Sequence, residues 1–293
     1  MRHTARCLHL LLVVSFAVGL AAPGLCWGRE GHQQITTAAI AILPADLKPF
    51  YSRNGAYMAV FSALPDDWKT LHGVEKPNHY VNFEKLQNPP TMSLAITWQD
   101  AEKKFGKAKV RDAGCLPWVI AGHYPRLVKA FRDRNWEIAA VESAVLAHYI
   151  ADAHQPLHAT VYYDGRPAGA KKGIHGRWEI ELLEKHPIEL TPGAPETVSK
   201  VLKSAFEWSI SSWKQATAIL SADEKAEKVD PGHGAKYYQS LNDDTRHILK
   251  GRMTNAARAI AGVFVAAWRD AGKPKLPRAT ADYYWDSVGR AGQ

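Results

Sequence analysis

Along most of the chain apolar residues return every three or four positions, the spacing of one buried helix face, while the alternation that marks a strand is scarce. This spacing predicts helices near 30–43, 45–53, 56–72, 96–109, 115–133, 136–154, 175–185, 195–221, 235–248 and 250–272. Prolines punctuate the order. Pro44 ends the first helix, Pro65 starts or kinks another, and Pro89, Pro90, Pro156 and Pro187 mark further breaks. Residues 161–173, with Asp164, Gly165, Pro167, Gly169, Lys171 and Lys172, read as a surface loop, and the tail from Lys273, with Pro274 and Pro277, as loosely packed. There is no internal repeat. The expected fold class is all-α, in a single domain.

The first residues depart from this pattern. Arg2 and Arg6 precede an apolar run over 8–20, and Ala21, Ala22 and Gly24 follow, as in a secretory signal peptide. Cleavage after Cys26 would leave one domain over 27–293, secreted or periplasmic. No later stretch approaches the roughly 18 continuous apolar residues that cross a membrane, so no stable membrane anchor is expected. A lipid anchor on Cys26 is disfavoured by the bulk of Leu25 before it. Cys7 and Cys26 leave with the leader, and Cys115 alone has no intramolecular disulfide partner. Stability must then come from the core and from metal. The formal net charge of +8 suits an anionic substrate or surface. Charge alone does not separate a nuclease from a lipase or a binding protein.

The strongest local signal runs from 148 to 158. His148 and Asp152 stand at i and i+4 of one predicted helix, so both side chains project from one face and can meet on a single ion. Pro156 ends that helix, and His158 arrives after the turn from another direction, where it can serve a second ion. His148 alone would read as a core histidine bonded to backbone; the carboxylate and the third histidine reverse that preference. His175 and Glu179 repeat the i, i+4 geometry, and Trp178 between them should pack beneath the site. Glu179 alone is a solvated helix charge, and Asp66 alone an acid at a helix N-terminus. His32 and His79 carry little weight singly.

Together the segments resemble a known family, the trinuclear zinc nucleases specific for single strands, which share a helical bundle with zinc-dependent phospholipase C. The resemblance rests on Trp27-Gly28 with Gly31-His32, the run from Ser62 to Lys69, His79-Tyr80, Leu116-Pro117-Trp118, the run 148–158, and His175 with Glu179. It implies three Zn2+ ions. One would take the free α-amino group and carbonyl of Trp27 with His32 and Asp152, so export would complete the site by exposing that amine. A neighbouring ion would take Asp66, His79, His148 and the shared Asp152; the third would take His158, His175 and Glu179.

The resemblance also implies the reaction: hydrolysis of single-stranded DNA and RNA to 5′-nucleotides, with 3′-nucleotidase activity, by a hydroxide shared between two zinc ions. Asp66 would orient that nucleophile and Lys69 would balance charge growing on the phosphate. Tyr80 would stack on an unpaired base, with simple core packing as the alternative, and Asn82 would meet the base edge. The enzyme is expected to work as a monomer.

Two features depart from the fungal members. Glu179 stands where they carry Asp and the phospholipase branch carries Glu, and the interval from His158 to His175 is shorter than theirs. Phospholipase C therefore remains the alternative enzyme. From another class, a binding protein stapled by structural zinc remains open, although such sites are usually closed and rich in Cys.

Overall fold

A computed structural model of the chain describes residues 27–166 and 172–277. The leader expected over 1–26, the middle of the 161–173 loop and the tail beyond 277 lie outside the described residues. Among the described residues there is no strand. The helices are α1 (Arg29–Ala41), α2 (Lys48–Phe61), α3 (Leu64–Leu71), α4 (Trp98–Phe105), α5 (Lys107–Ala113), α6 (Leu116–Arg132) and α7 (Trp136–Ala153). They continue with α8 (Ile174–Gly176), a π turn (Arg177–Glu181), α9 (Leu182–Lys185), α10 (Val201–Val229) and α11 (Ala235–Asp270).

Helix α7 is the centre of the bundle. Its residues are apolar nearly all round, so it can be stable only when enclosed, and α1, α2, α6, α10 and α11 pack about it. Asn135 caps its start by accepting a hydrogen bond from the Ile138 backbone N–H at 3.2 Å. Helices α10 and α11, joined by a short connection, pack against each other along the bundle. One core cluster gathers Trp27, Phe50, Tyr51, Phe131, Trp178, Tyr237 and Phe264. A second, with Val81, Phe83, Leu94, Val110, Trp118 and Phe206, underpins the irregular segment between α3 and α4.

Several predicted boundaries move for local reasons. The break expected near Asn54 and Gly55 falls instead at Ser62 and Ala63, because Pro65 fits the first turn of α3, where its missing N–H costs nothing. The helix expected over 96–109 is two, divided at Gly106, whose φ of 86° no helix accommodates. The pair expected over 235–248 and 250–272 is one helix, since buried Leu241, Thr245, Ile248, Leu249, Arg252 and Met253 carry one face straight past Gly251. The helix expected over 195–221 begins at Val201 and extends to Val229. The tail expected to be loose starts with contacts: Trp268 Nε1 donates to the Pro274 carbonyl at 2.9 Å, and Leu276 joins the main core.

Candidate metal centre

Five parts of the fold converge on Asp152. Helix α7 supplies His148 and Asp152, α1 supplies His32, α3 supplies Asp66, and the single turn Lys76–His79 supplies His79. The turn Pro156–Ala159, forced by Pro156 after α7 ends, delivers His158. Helix α8 and the π turn after it carry His175 and Glu179. Departures from α geometry of this kind recur at functional sites because they re-aim side chains.

Asp152 is fully buried and its two oxygens face different ways. Oδ2 lies 3.0 Å from His79 Nδ1 and 3.1 Å from His148 Nε2. Oδ1 lies 3.5 Å from both His32 Nε2 and His158 Nδ1. Asp66 Oδ1 completes the first side at 3.6 Å from both His79 Nδ1 and His148 Nε2, and it pairs with Lys69 Nζ at 2.8 Å. On the other side His158 Nε2 and His175 Nε2 stand 3.0 Å apart, with Glu179 Oε2 3.2 Å from His175.

Three sets of side chains each bring ligand atoms within 4.8 Å of one another: His32, Asp66 and His148; His79, His148 and Asp152; His158, His175 and Glu179. A zinc ion bound tetrahedrally at ~2.05 Å keeps its ligand atoms about 3.3 Å apart. The observed 2.9–3.6 Å spacings around His79, His148 and Asp66 fit that edge length. The donors, imidazole nitrogens and carboxylate oxygens with no thiolate, are of the type zinc accepts.

Hydrogen bonding points the same way. Neither ring nitrogen of buried His32 has a hydrogen-bond partner among the described residues, nor have His158 Nδ1 and Glu179 Oε1. Polar groups buried in this manner are costly, so a cation that takes up their lone pairs fits the arrangement. His148 is oriented from behind, its Nδ1–H donating to the Ser62 carbonyl at 2.7 Å and leaving Nε2 for the centre.

Charge and burial set the protonation states. Burial would raise Asp152, yet His148 and His158 beside it hold it well below the ordinary carboxylate range. Asp66 is lowered likewise, burial being outweighed by His148, His32 and Lys69. Burial lowers His32 and His158, so both are neutral and available as ligands near pH 7. Burial raises Glu179, whose Oε2 accepts from Gln155 Nε2 at 2.7 Å.

The remaining expected residues sit at the margins. Trp27 is fully buried, its indole donating to the Ala151 carbonyl at 2.8 Å and its ring 5.5 Å from that of Trp178. That anchor fixes the start of the described chain one residue from Asp152 in the contact it makes. Trp178 is buried beneath the site, as its position between His175 and Glu179 suggested. Tyr80 is half-buried, and Asn82 is buried, with its backbone N–H bonded to the Ala113 carbonyl.

Two residues escaped sequence reasoning. Gln155 holds Glu179, and Glu75 stands behind His79 with its Oε1 3.3 Å from Nε2. Glu75 precedes His79 by four residues, but Pro77 between them hides the pairing, since no regular helix is expected there.

The profile of the S1/P1 nuclease family matches residues 27–263, and the chain belongs to that family. Similar proteins include Endonuclease 5 of Arabidopsis thaliana, 24% identical over 220 residues that cover 65% of this chain and 69% of that one. Nuclease S1 of Aspergillus oryzae is 24% identical over 194 residues, covering 60% of this chain and 61% of that one. A Bradyrhizobium tropiciagri protein named a probable serine protease is 21% identical over 345 residues, covering 83% of this chain. This chain spans only 43% of the length of that protein. In this site Ser62 and Ser212 direct their hydroxyls to the carbonyls of Ala59 and Ala153, not to the histidines.

Proposed function

We propose that the chain is an exported zinc-dependent phosphodiesterase that hydrolyses single-stranded DNA and RNA to 5′-nucleotides and acts on 3′-nucleotides. The observation that carries this reading is Asp152, whose two oxygens face separate sets of histidines, 3.0–3.1 Å away on one side and 3.5 Å on the other. A buried carboxylate so flanked suits a bridge between cations. In the proposal Asp66, His79, His148 and Asp152 hold one zinc, and the Trp27 amine and carbonyl hold a second with His32 and Asp152. His158, His175 and Glu179 hold the third.

Bound zinc supplies Lewis acidity toward phosphoryl oxygens and lowers the pKa of water. The chain's own residues supply the rest. Asp66, kept ionised with Lys69 beside it, accepts a hydrogen bond from the attacking water and aims it at phosphorus. Lys69, 2.8 Å from Asp66, balances the negative charge that builds on the phosphate. The bond to the 3′ oxygen breaks, leaving phosphate on the 5′ side. Tyr80 offers a partly exposed ring to an unpaired base, a contact that tolerates any sequence but requires a strand that is not paired.

A second reading, phospholipase C, is favoured by the glutamate at 179. Export also enters the proposal, because Trp27 carries a free amine only after the preceding residues are removed. Among the described residues no helix is long and apolar enough to cross a membrane.

The test offers the processed, zinc-loaded protein single-stranded DNA, RNA, a 3′-nucleotide and a phosphatidylcholine emulsion in parallel, with elemental analysis of the same sample. Release of 5′-nucleotides, abolished by chelation and restored by zinc, is the expected result. Lipid hydrolysis without nucleotide release would replace the nuclease reading by its alternative, and a protein that binds no zinc would end both.

A further inference from the structure

Among the described residues, Glu75 is a carboxylate that approaches the cluster from outside its ring of donors. Its Oε1 stands 3.3 Å from His79 Nε2, a close charged approach rather than a hydrogen bond of regular geometry, and its side chain is 15% exposed. Two further groups fix it there. Tyr149 donates its hydroxyl to Oε1, and Asn78 Nδ2 donates to Oε2 at 2.9 Å. Tyr149 follows His148 directly on α7, so the helix that carries two central donors also tethers the carboxylate behind a third.

The opposite ring nitrogen of His79 faces inward. Nδ1 lies 2.9 Å from His148 Nε2, 3.0 Å from Asp152 Oδ2 and 3.6 Å from Asp66 Oδ1. A neutral imidazole has one N–H and one lone pair, and the group facing one nitrogen decides which carries the proton. His79 sits on a single turn outside the regular helices, so no i, i+4 geometry sets its ring as it does for His148.

We propose that Glu75 is a positioning residue for the metal centre: its carboxylate, facing Nε2, favours the proton on that nitrogen and so the tautomer that turns the Nδ1 lone pair of His79 toward Asp66, His148 and Asp152. The inference rests on the metal-binding reading above. A carboxylate hydrogen-bonded to a ligating histidine both orients the ring and makes it a better donor, and loss of such a partner lowers metal affinity by about 10–100-fold. Glu75 touches neither substrate nor the reacting atoms. Tyr149 acts one step further out, by holding Glu75.

The test uses the full processed chain, stripped of metal and titrated with zinc against a competing chelator, with 15N NMR of the histidine rings. In the wild type the metal-free spectrum should show His79 protonated at Nε2. Glu75→Ala should give a mixed tautomer at His79 and weaken one equivalent of zinc by about 10–100-fold, leaving the His158 and His175 signals able to respond to zinc. Glu75→Gln, which keeps an acceptor oxygen, should recover most of the affinity. Should Glu75→Ala fail to fold, Tyr149→Phe carries the test, with a smaller loss at the same site. Unchanged His79 tautomer together with unchanged zinc affinity in a folded variant overturns the inference. Absence of zinc binding by the wild type would instead overturn the metal-binding reading itself.

Discussion

The ring of His148 lies stacked on that of His32, centroids 4.1 Å apart and planes 19° from parallel, with both residues fully buried. Two imidazolium ions cannot share that space. Burial, then the nearness of His148, lowers His32, while burial lowers His158, and burial with Arg252 lowers His154. A histidine lowered on folding contributes stability that is complete above its unfolded value of about 6.5 and is lost as pH falls below it. His79 works against this: contacts with Asp152 and Glu75 outweigh its burial and raise it. Glu179, raised by burial, also opposes it. Asp223, also raised by burial, opposes it too, but His154 and His158 are lowered well below their ordinary value, which leaves the metal-free protein acid-sensitive. Its melting temperature should drop by about 5 °C between pH 7 and pH 5, measured by calorimetry with chelator present. A melting temperature that rises over this range would contradict the balance.

In the proposed reaction Asp66 serves both metal binding and chemistry. Asp66→Asn keeps the size of the side chain and its approach to His79 and His148 but removes the charge paired with Lys69. Turnover on single-stranded DNA should fall by about 10²–10⁴-fold while circular dichroism stays unchanged. Full activity in the variant would rule out the role given to Asp66.

Gln155 reaches Glu179 Oε2 from the turn after α7 and also accepts the Leu157 backbone N–H. Replacing it by Ala removes the amide donor aimed at that carboxylate. Zinc at the His158, His175 and Glu179 set should weaken by about 10–100-fold, with the other equivalents retained, as read by competitive titration. An equal loss at all sites would mean that the turn as a whole had collapsed.

Gly114 joins α5 to α6 and lies against the backbone next to His79. A Cβ there would stand 2.2 Å from the Tyr80 carbonyl oxygen, and the φ of 103° is strained for any other residue. Around this contact Cys115 N–H bonds to the Pro77 carbonyl at 2.7 Å and Leu116 N–H to that of Tyr80 at 3.2 Å. Gly114→Ala should cost about 2–4 kcal/mol in denaturant unfolding. Zinc affinity should fall with it, because the His79 turn is held by these bonds. Wild-type stability in the variant would show that the segment can yield freely.

Both pairs were legible from their four-residue spacing, although only His148 and Asp152 share a regular helix and His175 reaches Glu179 across the start of a π turn. His148 with Asp152, and His175 with Glu179, stand four residues apart, and the structure brings each pair within 3.2 Å. His32, Asp66 and His79 were reached only through the resemblance, since each comes from a different part of the chain. Glu75 and Gln155 were missed because each stands immediately before a proline-bearing turn, where spacing does not translate into direction.

Periodicity along the chain thus determined the helical class, and proline positions determined most of the breaks, because both act within a few residues of backbone. Tertiary structure alone decided that α11 runs unbroken past Gly251, that Asp152 turns one oxygen to each set of histidines, and that Glu75 stands behind His79. Those outcomes depend on packing around α7, a relation among segments as far as 124 residues apart, which no local pattern encodes.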